Sequence, residues 1–400
     1  MASNCSFAAT EPRSSSNSRV APRTPSYNAQ ASTIKTIGDR IVSTTAPAKK
    51  KSLQDRLRDG VVLCGEGYVF ELERRGYVKS GPYVPEVVID FPVAVQELHR
   101  EFVRAGSDVV LALTYYAHRD KMKVVNRERE VEALNRQAVK LAKEVADETG
   151  ALLAGNICNT WVYDPKDAKR SSLHVRRMYE EQVRWAVEGG AQFIVAETLD
   201  WFAEASLALE VIQSAGLPAV VNLAAFQPRM ADGYDFATAC KTLADRGAAV
   251  VGLNCGRGPK TLLPILRKVI RAVGDSAHVA ALPVPYRTTA KSPGFLTLHR
   301  PGCRHGFPIE LDPFLLTRYE MADFAVAAHD LGARFIGVCC GGAPHHLRAM
   351  AEALGRTVPA SAYSPDLDRH AIMGEGKFAR VKDRKRYASQ RKIMRAKSLR

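Results

Sequence analysis

Eight short apolar runs rich in β-branched residues recur along this chain, at 61–64, 109–113, 152–156, 193–197, 219–223, 249–254, 279–284 and 335–339. Between them lie segments with helical period and one charged face, at 88–105, 127–148, 175–188, 201–214 and 313–331. A run that stays apolar along its whole length suits a strand covered on both faces, and a crossover helix between consecutive strands makes the sheet parallel. Several helical segments stop at glycine, as in Arg104-Ala-Gly106, Glu188-Gly-Gly190 and Leu331-Gly332. Glycine is favoured there because the chain takes a left-handed turn as a helix ends. The pattern predicts an α/β fold. Eight strand–helix units at a pitch of roughly 40 residues predict closure into a (β/α)8 TIM barrel. An open doubly wound sheet is the alternative. It would carry Gly-x-Gly-x-x-Gly after the first strand, and Cys64-Gly-Glu-Gly67 lacks the third glycine.

The net charge of +15 first reads as a nucleic-acid signal, but its position argues otherwise. Residues 1–51 hold 8 Lys/Arg against 2 Asp/Glu, and residues 370–400 hold 11 against 2, so the stretch between is neutral. Basic runs of this kind are solvated tails before they are binding surfaces. Residues 1–51 are expected to be a disordered basic tail, residues 52–357 the barrel, and residues 358–400 a basic, helical or extended arm. Binding of nucleic acid or a membrane surface through the tails is the non-enzyme alternative. A cytoplasmic location is expected, with a mitochondrial or plastid transit function of the N-terminal tail as the other reading. No run of 18 apolar residues is present, so no membrane-spanning helix is expected.

Catalytic groups of a (β/α)8 barrel sit where its strands end. Strand one ends on Cys64-Gly65-Glu66-Gly67, strand two on Thr114-Tyr115-Tyr116, strand three on Asn156 and strand four on Glu197. Strand six ends on Asn254-Cys255 and strand eight on Cys339-Cys340-Gly341-Gly342. Three of the eight cysteines thus converge on one end of the barrel. Adjacent cysteines suit a metal better than a disulfide framework. Cys158, Cys240 and Cys303 read instead as small buried hydrophobes.

Three thiolates with an open fourth position form the ligand set of a catalytic zinc ion, and soft sulfur favours zinc over magnesium or calcium. An all-thiolate site carries negative charge. It is a poor source of hydroxide and suits a thiol substrate, which the metal would deprotonate.

The run from Gly67 to Val78, followed by Lys79-Ser-Gly-Pro-Tyr-Val-Pro-Glu86, is similar to the opening of the betaine-using branch of the homocysteine S-methyltransferases. Glu97-Leu-His-Arg-Glu-Phe-Val-Arg-Ala-Gly-Ser107 is too. Val251-Gly-Leu-Asn-Cys-Gly256 and Gly337-Val-Cys-Cys-Gly341 resemble the zinc motifs of the wider family. The resemblance covers roughly residues 52–393 and reaches 378–387, which is similar to the family's dimerisation segment. It implies a (β/α)8 barrel, zinc on Cys255, Cys339 and Cys340, and homocysteine sulfur as the fourth ligand. It implies that Glu197 holds the substrate amino group and that the C-terminal arm makes a homo-oligomer. It also implies an aromatic pocket for a methylated onium donor, with Tyr68, Tyr83, Tyr115 and Tyr116 as the candidates here. Ring faces suit a trimethylammonium, which has no N–H to donate.

One motif departs from the family. The usual Asp-Gly-Gly after strand one is Gly65-Glu66-Gly67 here, so the carboxylate has moved one position along. Side chains in extended chain alternate in direction. Either Glu66 reaches the substrate through the flexible glycines, Gly67 among them, or the acceptor is not homocysteine. A sulfonium such as S-methylmethionine is the alternative donor. The expected reaction is direct transfer of a methyl group from betaine to the homocysteine thiolate, giving methionine.

Overall fold

The computed structural model describes residues 51–302 and 306–370. Eight strands run through them: β1 (Val62–Gly65), β2 (Val109–Leu111), β3 (Leu152–Cys158), β4 (Phe193–Leu199), β5 (Ala219–Ala224), β6 (Val250–Asn254), β7 (His278–Leu282) and β8 (Phe335–Val338). All pair in parallel in chain order, and β8 returns to β1 to close a barrel. Every strand residue except His278 is buried, which is why the strands are apolar apart from Asn156, Glu197, Thr198, Asn222 and Asn254 in their later halves.

The helices cover the barrel with one apolar stripe each. In Pro92–Arg104, Val95, Leu98 and Phe102 are buried, and the charged residues between them face outward. Phe102 packs so closely on the end of β1 that a Cβ at Gly65 would run into its ring. The closed end is pinned by Asp108, which accepts from Leu63 N at 2.8 Å and pairs with Arg56 at 3.3 Å and Arg356 at 2.7 Å.

Helix limits differ from the sequence pattern where local chemistry intervenes. The expected helix at 88–105 is two helices, Val87–Asp90 and Pro92–Arg104, because Phe91 precedes proline and leaves the helical region with φ −141° and ψ 60°. The helix expected from 313 begins at Arg318, where Thr317 and Glu320 form a capping box. The helix expected from 175 begins earlier, at Ala168. The last barrel helix, Pro344–Ala353, is followed by two 3-10 turns, Pro359–Tyr363 and Leu367–Arg369. The first of these lies on the barrel, with the Arg104 guanidinium 5.2 Å from the Tyr363 ring centroid. The basic tail through residue 50, Cys303, and the arm beyond residue 370 lie outside the described residues. Among the described residues no helix is long and apolar enough to cross a membrane.

One buried acid lies away from the strand-end cysteines. Glu204, on helix Phe202–Ser214, is 1% exposed and accepts from Thr160 N at 2.8 Å and Thr160 Oγ1 at 2.5 Å. Burial pushes its carboxyl up to about 7 from an ordinary 4.5. Below about pH 4.5 the folded and unfolded chains both hold this proton, and between 4.5 and 7 only the folded chain does. Stability therefore falls as pH rises through this window and stays lower above it, by up to about 3 kcal/mol. Glu204→Gln keeps an acceptor for Thr160 and removes the titration. Thermal unfolding from pH 5 to 8 is expected to show the variant gaining on the wild type as pH rises. A constant gap would remove Glu204 as the cause.

Candidate active site

The strand ends open into a cavity of about 480 Å³, and all ten residues singled out in the sequence line it. Cys255 follows β6, and Cys339-Cys340 follow β8. Cys255 and Cys339 are each 2% exposed. The Cys255 and Cys340 sulfurs are 3.8 Å apart, and those of Cys339 and Cys340 are 4.0 Å apart. All three sulfurs lie within 4.8 Å of one another. A disulfide needs about 2.05 Å. A tetrahedral ion with metal–sulfur bonds of about 2.3 Å needs sulfurs about 3.8 Å apart, so the spacing is that of a metal cradle.

The protonation of the cluster points the same way. Hydrogen bonding from Cys339, then from Cys340, holds the Cys255 thiol down at about 5. Sharing with Cys255 pushes Cys339 and Cys340 well above the usual thiol range. The first thiolate forms readily, and the second and third need a cation beside them. A divalent soft metal supplies that charge.

Behind the thiols stands a pair of acids. Glu197 Oε1 accepts from Asn156 Nδ2 at 2.7 Å, and its Oε2 accepts from Asn254 Nδ2 at 3.0 Å. Asn254 is itself fixed, because its Oδ1 accepts from Thr198 N at 2.9 Å. Glu66 is 8% exposed, its Oε2 is 3.5 Å from Asn254 Nδ2, and its Oε1 has no hydrogen-bond partner among the described residues. Glu66, Glu197 and Cys339 gather within 4.8 Å. Burial raises both carboxyls, Glu197 to about 8 and Glu66 well above the carboxylate range. The charge of Glu197 and that of Cys339 push Glu66 further up, while for Glu197 only Cys339 adds to the rise and hydrogen bonds from Asn156, Glu66 and Asn254 oppose it. Glu197 receives two amide donors and is the better anion, so the proton stays on Glu66. Two buried acids and an orphaned oxygen make a receptor for a group with several N–H donors and positive charge.

Glu66 faces inward, and the reason is local. Position 65 points outward onto Phe102, where no Cβ fits, and position 66 points into the cavity. A Cβ at Gly67 would run into the carbonyl of Gly342, so the β1 and β8 turns touch backbone to backbone beside the thiols.

The remaining wall is aromatic. Tyr83 stacks on Phe70 with centroids 5.3 Å apart and planes 7° apart. Tyr115 and Tyr116 lie 4.2 Å apart, and Trp161 Nε1 donates to Tyr116 Oη at 2.7 Å. Tyr68 is wedged edge-on against His99 and Phe102, at 4.7 and 5.2 Å, which makes it part wall and part core. Among the described residues six non-glycine residues have φ in the left-handed region, and five of them, Tyr83, Tyr116, Trp161, Thr198 and Cys255, line this cavity. Such positions cost on the order of 1 kcal/mol or more each, and they cluster where surrounding structure imposes them for function.

Residues 61–354 match the Homocysteine S-methyltransferase family. The chain belongs to this family. It is 35% identical over 339 residues to betaine–homocysteine S-methyltransferase 1 of Xenopus laevis, covering 82% of this chain and 81% of that one. It is also 35% identical over 340 residues to the S-methylmethionine–homocysteine S-methyltransferase BHMT2 of Rattus norvegicus, covering 82% and 88%. The fold matches that of the metallated homocysteine methyltransferase MmuM from Escherichia coli, with a TM-score of 0.57 at 19% identity over 74% of this chain and 99% of that one. The chain is thus an S-methyltransferase-family enzyme with a closed barrel and a possible metal site.

Several lining residues were not singled out in the family reading of the sequence. Phe226 follows β5, and Phe295 and Phe307 come from the connection between β7 and helix Arg318–Leu331. That connection spans Pro283 to Thr317, long for a βα loop, and length alone marks it as a place to look. Asn156 and Asn254 were visible as strand-end residues, but their service to Glu197 required the register. Trp161 and Lys121 carried no signal in a single sequence.

Proposed function

We propose that this enzyme transfers a methyl group from betaine to the thiolate of homocysteine, giving methionine and dimethylglycine, with zinc on Cys255, Cys339 and Cys340. The observation that carries the reading is the 3.8–4.0 Å spacing of those sulfurs at the mouth of an aromatic cavity. Bound zinc would take the thiol proton's place and hold the acceptor sulfur as a fourth ligand.

The chain's own residues do the rest. Glu197, oriented by Asn156 and Asn254, and Glu66 beside it receive the ammonium of the amino-acid acceptor. An amino acid with a thiol at the end of a short side chain spans from these acids to the cysteines. Tyr83, Tyr115 and Tyr116 offer ring faces to the donor's onium head, each face-on contact contributing about 0.5–2 kcal/mol. The sulfur lone pair attacks a methyl carbon, the carbon–nitrogen bond breaks, and the nitrogen leaves with that electron pair as a neutral amine. No general base is required for a thiol already ionised. Two substrates held in line gain most of their advantage from positioning.

A relative that uses S-methylmethionine supports a second donor reading. Purified zinc-loaded protein assayed with homocysteine against betaine, S-methylmethionine and dimethylsulfoniopropionate separates the two. Betaine is expected to lead by about tenfold or more in kcat/KM, about 1.4 kcal/mol of transition-state preference. A lead of that size for a sulfonium would replace betaine as the donor.

A further inference from the structure

Among the described residues one cation lines the cavity. Lys121 lines it, half-buried, with its Nζ 4.3 Å from the centroid of the Tyr116 ring. It sits on the short helix Arg119–Met122, whose start is fixed by His118, with Nδ1 3.4 Å from Lys121 N. The other charges around it are spent elsewhere. Arg119 pairs with Glu181 at 3.0 Å, Asp120 pairs with Lys123 at 3.1 Å and with His174 at 2.6 Å. Lys121 has no acidic partner among the described residues. The acids that line the cavity, Glu66 and Glu197, are gathered on Cys339. The Tyr116 ring beneath Lys121 is locked by the Trp161 indole N–H.

A fixed ammonium on the wall of a pocket for a cationic donor is a liability if the donor is a bare cation. Like charges in a half-buried site repel, and the ring face that should attract the onium already carries one. The conflict disappears if the donor brings an anion of its own. We propose that Lys121 binds the carboxylate of a zwitterionic methyl donor and thereby selects onium compounds that carry an acid over those that do not. This assignment rests on the reading of the aromatic cavity as the donor site. It makes Lys121 a donor-binding and specificity residue, and leaves the onium head to the other ring faces of the cavity, those of Tyr83 and Tyr115.

The test is Lys121→Met, which keeps an unbranched stem against Tyr116 and removes the charge. Full-length zinc-loaded protein is titrated with betaine and with tetramethylammonium, with and without methionine present, and binding is followed by tryptophan fluorescence, so that no turnover is needed. The loss of a charge-assisted contact is expected to weaken betaine roughly 10- to 100-fold. Tetramethylammonium, which has no carboxylate, is expected to bind as well as before or better. The affinity for homocysteine and the zinc content should not move, and Lys121→Arg should restore most of the betaine affinity. Parallel losses for both ligands, or unchanged betaine binding, overturn the assignment. If Lys121→Met shows this crossover while the wild type moves no methyl group from betaine, Lys121 stands as the carboxylate receptor and betaine is removed as the donor.

Discussion

Replacing Cys255, Cys339 or Cys340 singly by alanine is expected to strip the protein of stoichiometric zinc and to lower methyl transfer by more than about a hundredfold. Losing an outer-shell partner of a metal ligand already costs about 10–100-fold, and here a ligand itself is lost. Two remaining thiols, still 4.0 Å apart in the Cys255→Ala case, cannot enclose a tetrahedral ion with one open position. The fold should survive. The eight strands close through their own backbone pairing, and the core that holds them is a continuous set of buried apolar side chains under the helices. Metal analysis and the assay belong beside thermal unfolding of the metal-free protein, which should shift little. A variant that keeps both full zinc content and full activity would take its cysteine out of the ligand set.

Glu197→Gln is expected to lower kcat/KM for homocysteine by roughly 30- to 3000-fold, the effect of removing one charge from a buried pair worth about 2–5 kcal/mol. The substitution keeps shape. Asn156 can turn its amide to accept from the new NH2 group, while Asn254 cannot, because Thr198 N holds its Oδ1. The donor's affinity and the zinc content should stay as they were, which separates loss of the ammonium receptor from collapse of the site. Free of substrate, the variant should be as stable as the wild type or more so, since a neutral amide replaces an acid that burial disfavours as an anion. A drop in melting temperature together with lost zinc would assign Glu197 a structural task instead.

The ease of reading this chain follows from where its polar residues are allowed to stand. A parallel barrel strand is buried on both faces, so it is written as a largely apolar run, and its polar residues gather towards its end, although β3 and β4 each run two residues beyond Asn156 and Glu197. That is why Asn156, Glu197, Asn254, Cys255 and Cys339 could be placed at one mouth from sequence. Helix limits were harder, because a proline at 92 or a capping threonine at 317 moves them by several residues without altering the apolar stripe.

The strand-one turn shows where the same reasoning stopped. Alternation counted from the family's aspartate left open whether Glu66 could reach the substrate. The structure turns it inward, because Phe102 occupies the space outside Gly65 and the β1–β8 register sets Gly65 against Val338. A side chain's direction at a strand end depends on what packs behind its neighbour, and that neighbour's contact comes from another helix. The aromatic wall has the same origin. Tyr115 and Tyr116 come within five residues of the end of β2 and were visible, whereas Phe295, Phe307 and Lys121 reach the cavity from farther along the connecting segments.

By itself the sequence determined the barrel, the mouth at which its chemistry lies and the three thiols that define it. These depend on periodicity and on strand ends, which are local properties. Only the tertiary structure decided which carboxylates meet, that the sulfurs stand at metal-cradle spacing, and that Lys121 lines the aromatic cavity with no acidic partner among the described residues. Those are distances between segments far apart in the chain, and they exist only once packing has brought the segments together.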